Sequence, residues 1–206
     1  MSEDGCLACH DPHGSKAKGL LRTASLGETC LQCHPRSTAT ELHKPYAADR
    51  CDSCHEPHGS DHRSLLTGGE GANHCRQCHA EVADAVEIAP YSHCNVERGC
   101  LACHGAHGAD QKHLLLAQPR DLCVTCHPTI GSTVSGAHVS HDAVLKGDQC
   151  VSCHDPHASS HPKMLRDSQM NVCLSCHAKS VTAADGRTIP AMGESLTSSP
   201  VVHGAV

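Results

Sequence analysis

A chain of 206 residues with no Trp, no Phe and only two Tyr (Tyr46 and Tyr91) lacks the side chains that usually dominate burial. Its 38% hydrophobic fraction includes 17 cysteines, so a core made of protein alone would be poor at this length. The formal charge of −6 argues against nucleic acid as a partner, and no apolar run is long enough to span a bilayer.

Along the chain the first element is Cys6-Leu-Ala-Cys9-His10, and its Cys-x-x-Cys-His pattern then recurs seven times. The copies are Cys30/Cys33/His34, Cys51/Cys54/His55, Cys75/Cys78/His79, Cys100/Cys103/His104, Cys123/Cys126/His127, Cys150/Cys153/His154 and Cys173/Cys176/His177. Such a motif reads as covalent c-type haem attachment. On one helical turn positions i, i+3 and i+4 share a face. Two thioethers and one iron-ligating imidazole thus point at the same macrocycle. Zinc sites and disulfide frameworks also use paired cysteines, but neither requires a histidine after every second Cys.

The motifs fall into four units. Each opens with a motif followed by a second histidine three residues on: His10/His13, His55/His58, His104/His107 and His154/His157. An apolar pair follows (Leu20/Leu21, Leu65/Leu66, Leu114/Leu115, Met164/Leu165), and a second motif closes the unit. Repeats of this period are one supersecondary unit each. The units are read as 1–50, 51–99, 100–149 and 150–177, with a C-terminal arm at 178–206 that carries a turn at 184–187. Pro12, Pro57 and Pro156 end any helix begun at a haem motif. The expected fold is mostly coil with short α-helices, little β structure, and a core of eight covalently bound haems. Without haem the chain is expected to be unfolded.

These residues resemble the doubled-CxxCH family of multihaem cytochromes c, whose paired motifs carry an HxPHG-like signature. The resemblance covers residues 6 to 177, although Ala106 replaces the proline of the third unit and Ala158 the glycine of the fourth. It implies haem c, mostly bis-histidine iron, a loop-rich fold and electron transfer. It also implies attachment of haem outside the cytoplasmic membrane, hence an extracellular or periplasmic location. Met1-Ser-Glu-Asp-Gly lacks the basic and apolar regions of a signal peptide.

Thirteen histidines lie outside the motifs, and eight are needed if every iron is bis-histidine. His13, His58, His107 and His157 form one set by register. Three residues of chain cannot wrap a porphyrin edge, so each is expected to ligate the second haem of its own pair. The two Cα atoms of such an HxxH element lie within about 10 Å, which holds two haems close. His43, His93 and His141 precede units two to four and are expected on the first haem of the unit that follows; His138 competes with His141, and spacing favours His141. That series leaves the Cys6/Cys9 haem without an upstream donor and His203 unused. The economical closure gives His203 to that haem in the next molecule. Head-to-tail contacts of this kind generate open filaments, and the pattern is similar to extracellular cytochrome nanowires.

His62, His74, His113 and His161 keep no common offset and read as surface or supporting residues. Cys94 is an odd thiol, most simply a small buried hydrophobe; Met164 and Met170 are further candidate iron ligands, of which Met164 holds the repeat's leucine position and reads as packing. Carboxylate and propionate clusters leave room for Ca²⁺, although no EF-hand loop is present. The expected function is electron transfer, to other redox proteins or extracellular acceptors, by a polymeric filament subunit. A monomeric periplasmic shuttle is the alternative. An octahaem reductase with an open iron is the lesser one, since histidines outnumber the ligands required and no catalytic residue stands out.

Overall fold

The computed structural model describes residues 4–69, 71–93, 99–183 and 185–201; Cys94 and His203 lie outside these. Among the described residues, the first helices are α1 (Leu26–Leu31), α2 (Lys44–Ala47), α3 (Ala72–Arg76) and α4 (Ala80–Ile88). They are followed by α5 (Pro119–Val124), α6 (Pro128–Gly136), α7 (Asp142–Leu145), α8 (Gln169–His177) and α9 (Gly193–Ser198). Strands are two residues each: β1 (Glu41–Leu42), β2 (Tyr91–Ser92), β3 (Gly108–Ala109), β4 (Ala158–Ser159), β5 (Val181–Thr182) and β6 (Thr188–Ile189). The expectation of short helices, little strand and much coil agrees with this. Among the described residues the longest helices have nine residues, and none is long and apolar enough to cross a membrane.

Two compact units are present, Met1–Cys78 with Glu97–Ala117, and His79–Val96 with Gln118–Val206. In the first, β1 pairs antiparallel with β3, Glu41 opposite Ala109 and Leu42 opposite Gly108. Glycine at 108 lets the two backbones approach closely, since a Cβ on it would lie 2.7 Å from the Glu41 carbonyl oxygen. In the second, β2 pairs with β4 in the same register, Tyr91 opposite Ser159 and Ser92 opposite Ala158. There β5 and β6 also form a hairpin closed at Gly186 (φ +85°), the turn expected in the arm.

Local chemistry explains the helix starts. Ser25 caps α1 by accepting from the Glu28 N–H at 3.1 Å, while Glu28 accepts from the Ala24 N–H at 3.1 Å, a capping-box arrangement. Pro45, Pro119 and Pro128 occupy first helical turns, where no N–H is missed.

What the fold lacks is an interior. Among the described residues the only buried hydrophobic residue is Ala109, joined by buried Thr29 and Ser159, and no side chain is fully enclosed. A close-packed protein of this mass exposes about 9,200 Å², and two separate halves of it about 11,100 Å². This chain exposes 14982 Å². The polypeptide is an open frame, as expected if bound cofactors supply the missing apolar volume.

Candidate haem sites

Each unit builds its first motif the same way. The motif forms a tight 3-10 turn (Gly5–Ala8, Cys51–Ser53, Cys100–Ala102, Gln149–Ser152) rather than an α-helical one. The histidine N–H still reaches the carbonyl of the first cysteine, for instance His10 to Cys6 at 3.0 Å and His55 to Cys51 at 2.9 Å. Cys, Cys and His therefore share one face. In the second motifs helices α1, α3, α5 and α8 carry the first cysteine, and His34 and His127 close on Cys30 and Cys123 at 3.0 Å.

The second cysteine of each motif is fixed by the same turn. The N–H groups of Cys33, Cys103 and Cys126 donate to the carbonyls of Cys30, Cys100 and Cys123, each at 3.2 Å. Cys176 stands inside α8, one residue before its terminal His177. The sites are not uniform in exposure. Cys33, Cys126 and Cys176 are exposed, whereas Cys103 is half-buried, as are Cys54 and Cys153. The sulfurs of Cys126 and Cys176 accept from the hydroxyls of Thr125 and Ser175, at 3.7 Å and 3.9 Å. At Cys33, Cys126 and Cys176 burial therefore adds nothing to the assignment, which stands on the turn that aims each sulfur along the face of its histidine. Cys103 is partly covered.

After each first motif the chain folds back, forming antiparallel bridges His10–Leu21, His55–Leu66, His104–Leu115 and His154–Leu165. Just before each bridge two successive residues take left-handed backbone: Gly19/Leu20, Ser64/Leu65, His113/Leu114 and Lys163/Met164, with φ between +55° and +71°. Such conformations are costly for residues other than glycine, and here they aim a carbonyl at the motif histidine. The Nδ1–H of His10 donates to Gly19 O at 2.7 Å, that of His55 to Ser64 O at 2.7 Å, that of His104 to His113 O at 2.8 Å, and that of His154 to Lys163 O at 2.9 Å. A histidine that donates through Nδ1 keeps the Nε2 lone pair for a metal. His113, which keeps no ligand offset in the sequence, supplies one of these carbonyls.

Four pairs of imidazoles face each other. His10 and His58 lie 6.0 Å apart between ring centroids, His55 and His107 6.0 Å, His93 and His127 6.2 Å, and His141 and His177 6.0 Å. Two imidazoles bonded to opposite sides of one metal, each at about 2.0–2.1 Å, place their centroids about 6.3 Å apart. The gaps thus match a shared iron, and each pair contains one motif histidine beside its two cysteines. Among the described residues no three His, Cys, Asp or Glu side chains converge as a zinc site requires, and none of the sixteen motif cysteines forms a disulfide. Burial first, then neighbouring Cys51, pushes the Cys30 thiol up to about 11; Cys75, beside Cys100, is likewise raised to about 11. Such surroundings favour the uncharged thiol over the thiolate.

The pairing corrects the expected partition. His58 faces His10 of the preceding unit, not His79 of its own, and His107 faces His55. Conversely, His93 and His141 face the second motif of the unit they precede, at His127 and His177, not the first. The reason is the strand pairing. With β1 on β3, the His43 N–H donates to His107 O at 3.0 Å, and with β2 on β4 the His93 N–H donates to His157 O at 3.2 Å. Each HxxH segment is thereby drawn away from its own second motif. His10, whose haem was expected to await His203, already has a partner imidazole in His58. Among the described residues no second imidazole faces His13, His34 or His154, whereas His43, His79, His104 and His157 are not free.

One supporting residue escaped the sequence reading. Tyr46 in α2 stacks on His107 at 4.8 Å, and its hydroxyl accepts from the Ser37 N–H at 2.6 Å. Its signal was only that it is one of two tyrosines. Burial, then His55 and His43 nearby, holds the His107 imidazole below its ordinary value, hence neutral and able to ligate. The Nδ1 atoms of His177 and His74 are buried without a partner.

Eight Cys-x-x-Cys-His turns, four of them with a second imidazole across a metal-sized gap, define a multihaem c-type cytochrome. The chain belongs to the doubled CXXCH motif family, whose model matches residues 1–39, 43–84, 93–131 and 141–182. Three of these four segments begin at His43, His93 and His141, so the family unit includes the histidine ahead of its first motif. A comparison with curated proteins finds no match.

Proposed function

We propose that this chain carries electrons through eight bis-histidine haems as the subunit of an extracellular filament. Bound haem supplies the iron redox couple; the chain fixes where each iron sits and what it feels. Sixteen cysteines would anchor the macrocycles, and the motif histidines together with His13, His43, His58, His93, His107, His141, His157 and His203 would hold the irons. Two neutral imidazoles on iron, with an acidic surface around them, favour the ferric state and hence low potentials. No residue is assigned a catalytic role.

The observation that carries the reading is the set of four imidazole pairs at 6.0–6.2 Å. Near-infrared magnetic circular dichroism of the oxidised holoprotein tests it. A spectrum of bis-histidine low-spin iron is expected; a majority of histidine–methionine or high-spin iron overturns it. A monomeric shuttle would need all eight irons capped within one chain, and solution mass separates it from a filament.

A further inference from the structure

We propose that copies of this chain join head to tail through exchanged histidines, His13 of one copy completing the iron site of His154 in the next. The inference rests on the bis-histidine reading and goes beyond it by naming the bonds.

Two rules hold wherever both partners are described within one compact unit. The HxxH histidine of a unit faces the first motif histidine of the unit before it, as His58 faces His10 and His107 faces His55. The histidine ahead of a unit faces that unit's second motif histidine, as His93 faces His127 and His141 faces His177. Within residues 1–206 the first rule leaves His154 without an HxxH histidine and His13 without an iron. The second leaves His34 without a donor and His203 without a site. The two lacks are complementary: the first unit offers what the fourth requires.

The side chains agree. The His13 side chain is 96% exposed, its Nδ1 3.4 Å from Asp11. His154 is already held in ligating form by its Nδ1 bond to Lys163 O, yet no imidazole faces it among the described residues.

Backbone pairing gives an independent second observation. The two residues ahead of His43 pair with the two after His107, and the two ahead of His93 pair with the two after His157. Each such segment therefore pairs with the HxxH element of the unit one further along. The segment ahead of His141, Val139–Ser140, has no such element in the chain and is unpaired, with Val139 77% exposed. The segment after His13, Gly14–Ser15, is also in no strand pair, its Gly14 N–H donating locally to Asp11 O at 3.3 Å, and the space over Gly14 is open where the Glu41 carbonyl covers Gly108. Unpaired strand edges are templates for a second chain.

Laying Gly14–Ser15 of one copy on Val139–Ser140 of another repeats the β1–β3 contact. It also delivers His13 to His154 as β3 delivers His107 to His55. Both rules thus select the same junction. By register alone, His203 of the copy that presents His154 serves the iron of His34 in its neighbour. Val201, 85% exposed, then stands two positions ahead of its histidine, as Glu41, Tyr91 and Val139 do. The junction would carry two coordinate bonds in opposite directions.

The test compares full-length, haem-loaded wild type, H13A and H58A by electron paramagnetic resonance and by solution mass. Wild type is expected to be assembled and low-spin, and to gain up to two high-spin irons in eight on dilution to monomer. H58A should open one iron and stay assembled. H13A should open one iron and assemble less at equal concentration. Added imidazole should restore its low-spin signal without restoring assembly. If H58A opens an iron while H13A stays low-spin and assembled, the junction is wrong and bis-histidine ligation stands. If neither variant changes spin state, the ligation reading itself fails. Wild-type monomer that is wholly low-spin also overturns the junction, because every iron is then capped within one chain.

Discussion

Replacing His58 with Ala removes a side chain that is 77% exposed and whose ring faces His10 at 6.0 Å. Little packing is lost, so the consequence is chemical. Of eight irons, the one on Cys6 and Cys9 loses its second imidazole and becomes high-spin, about one eighth of the total by the coordination arithmetic of axial ligands. Spin quantitation by electron paramagnetic resonance reads that fraction. Its location follows from a double-variant cycle. Changing Cys6 and Cys9 to Ala abolishes the first haem. Adding H58A to that background should then produce no further high-spin iron, because the site served by His58 is already gone. If the high-spin eighth appears undiminished in that background, His58 serves another iron, such as that of His79. The pairing rule derived from the ring geometry would then be refuted.

The left-handed pair after each first motif is a second point of test. Gly19 sits at φ +71° with open space over it, so Gly19→Val should cost about 1–2 kcal/mol from backbone strain alone; an unchanged Tm would contradict this. Ser25→Ala removes the α1 cap and should cost about 1 kcal/mol in thermal or chemical unfolding. In the reduced holoprotein the Nδ1 protons of His10, His55, His104 and His154 should exchange at least tenfold more slowly, by ¹⁵N-edited NMR, than those of His34 and His127, whose rings have no carbonyl partner among the described residues. The haem-free chain should show no cooperative melting by far-UV circular dichroism, since Ala109 alone is a buried hydrophobic residue among those described. A sharp transition would mean a core that the frame does not contain.

Much of the site was legible because haem attachment demands fixed residue types at fixed spacing. Spacing alone placed Cys33, Cys103, Cys126 and Cys176, and no difference in their exposure could be read from it. The register singled out His13, His58, His107 and His157 as one class and His43, His93 and His141 as another. Which iron each class faces was not legible. That choice is made by β1 on β3 and β2 on β4, strands of two residues paired across some 67 positions. Two-residue strands leave no alternation to read. The left-handed turns were equally silent, because only Gly19 advertises one, while Ser64, His113 and Lys163 adopt it against their own preference. Proline and glycine, by contrast, spoke plainly: the chain leaves three of the four first motifs at Pro12, Pro57 and Pro156, and the arm turns at Gly186.

The central claim is that porphyrins attached to all eight motifs fill this frame. Intact-mass spectrometry of the exported protein tests it most directly. The account predicts a single species heavier than the polypeptide by eight haem groups, retained under denaturing conditions. A species carrying fewer haems, or one whose added mass is lost on acid denaturation as a bound metal would be, would contradict it.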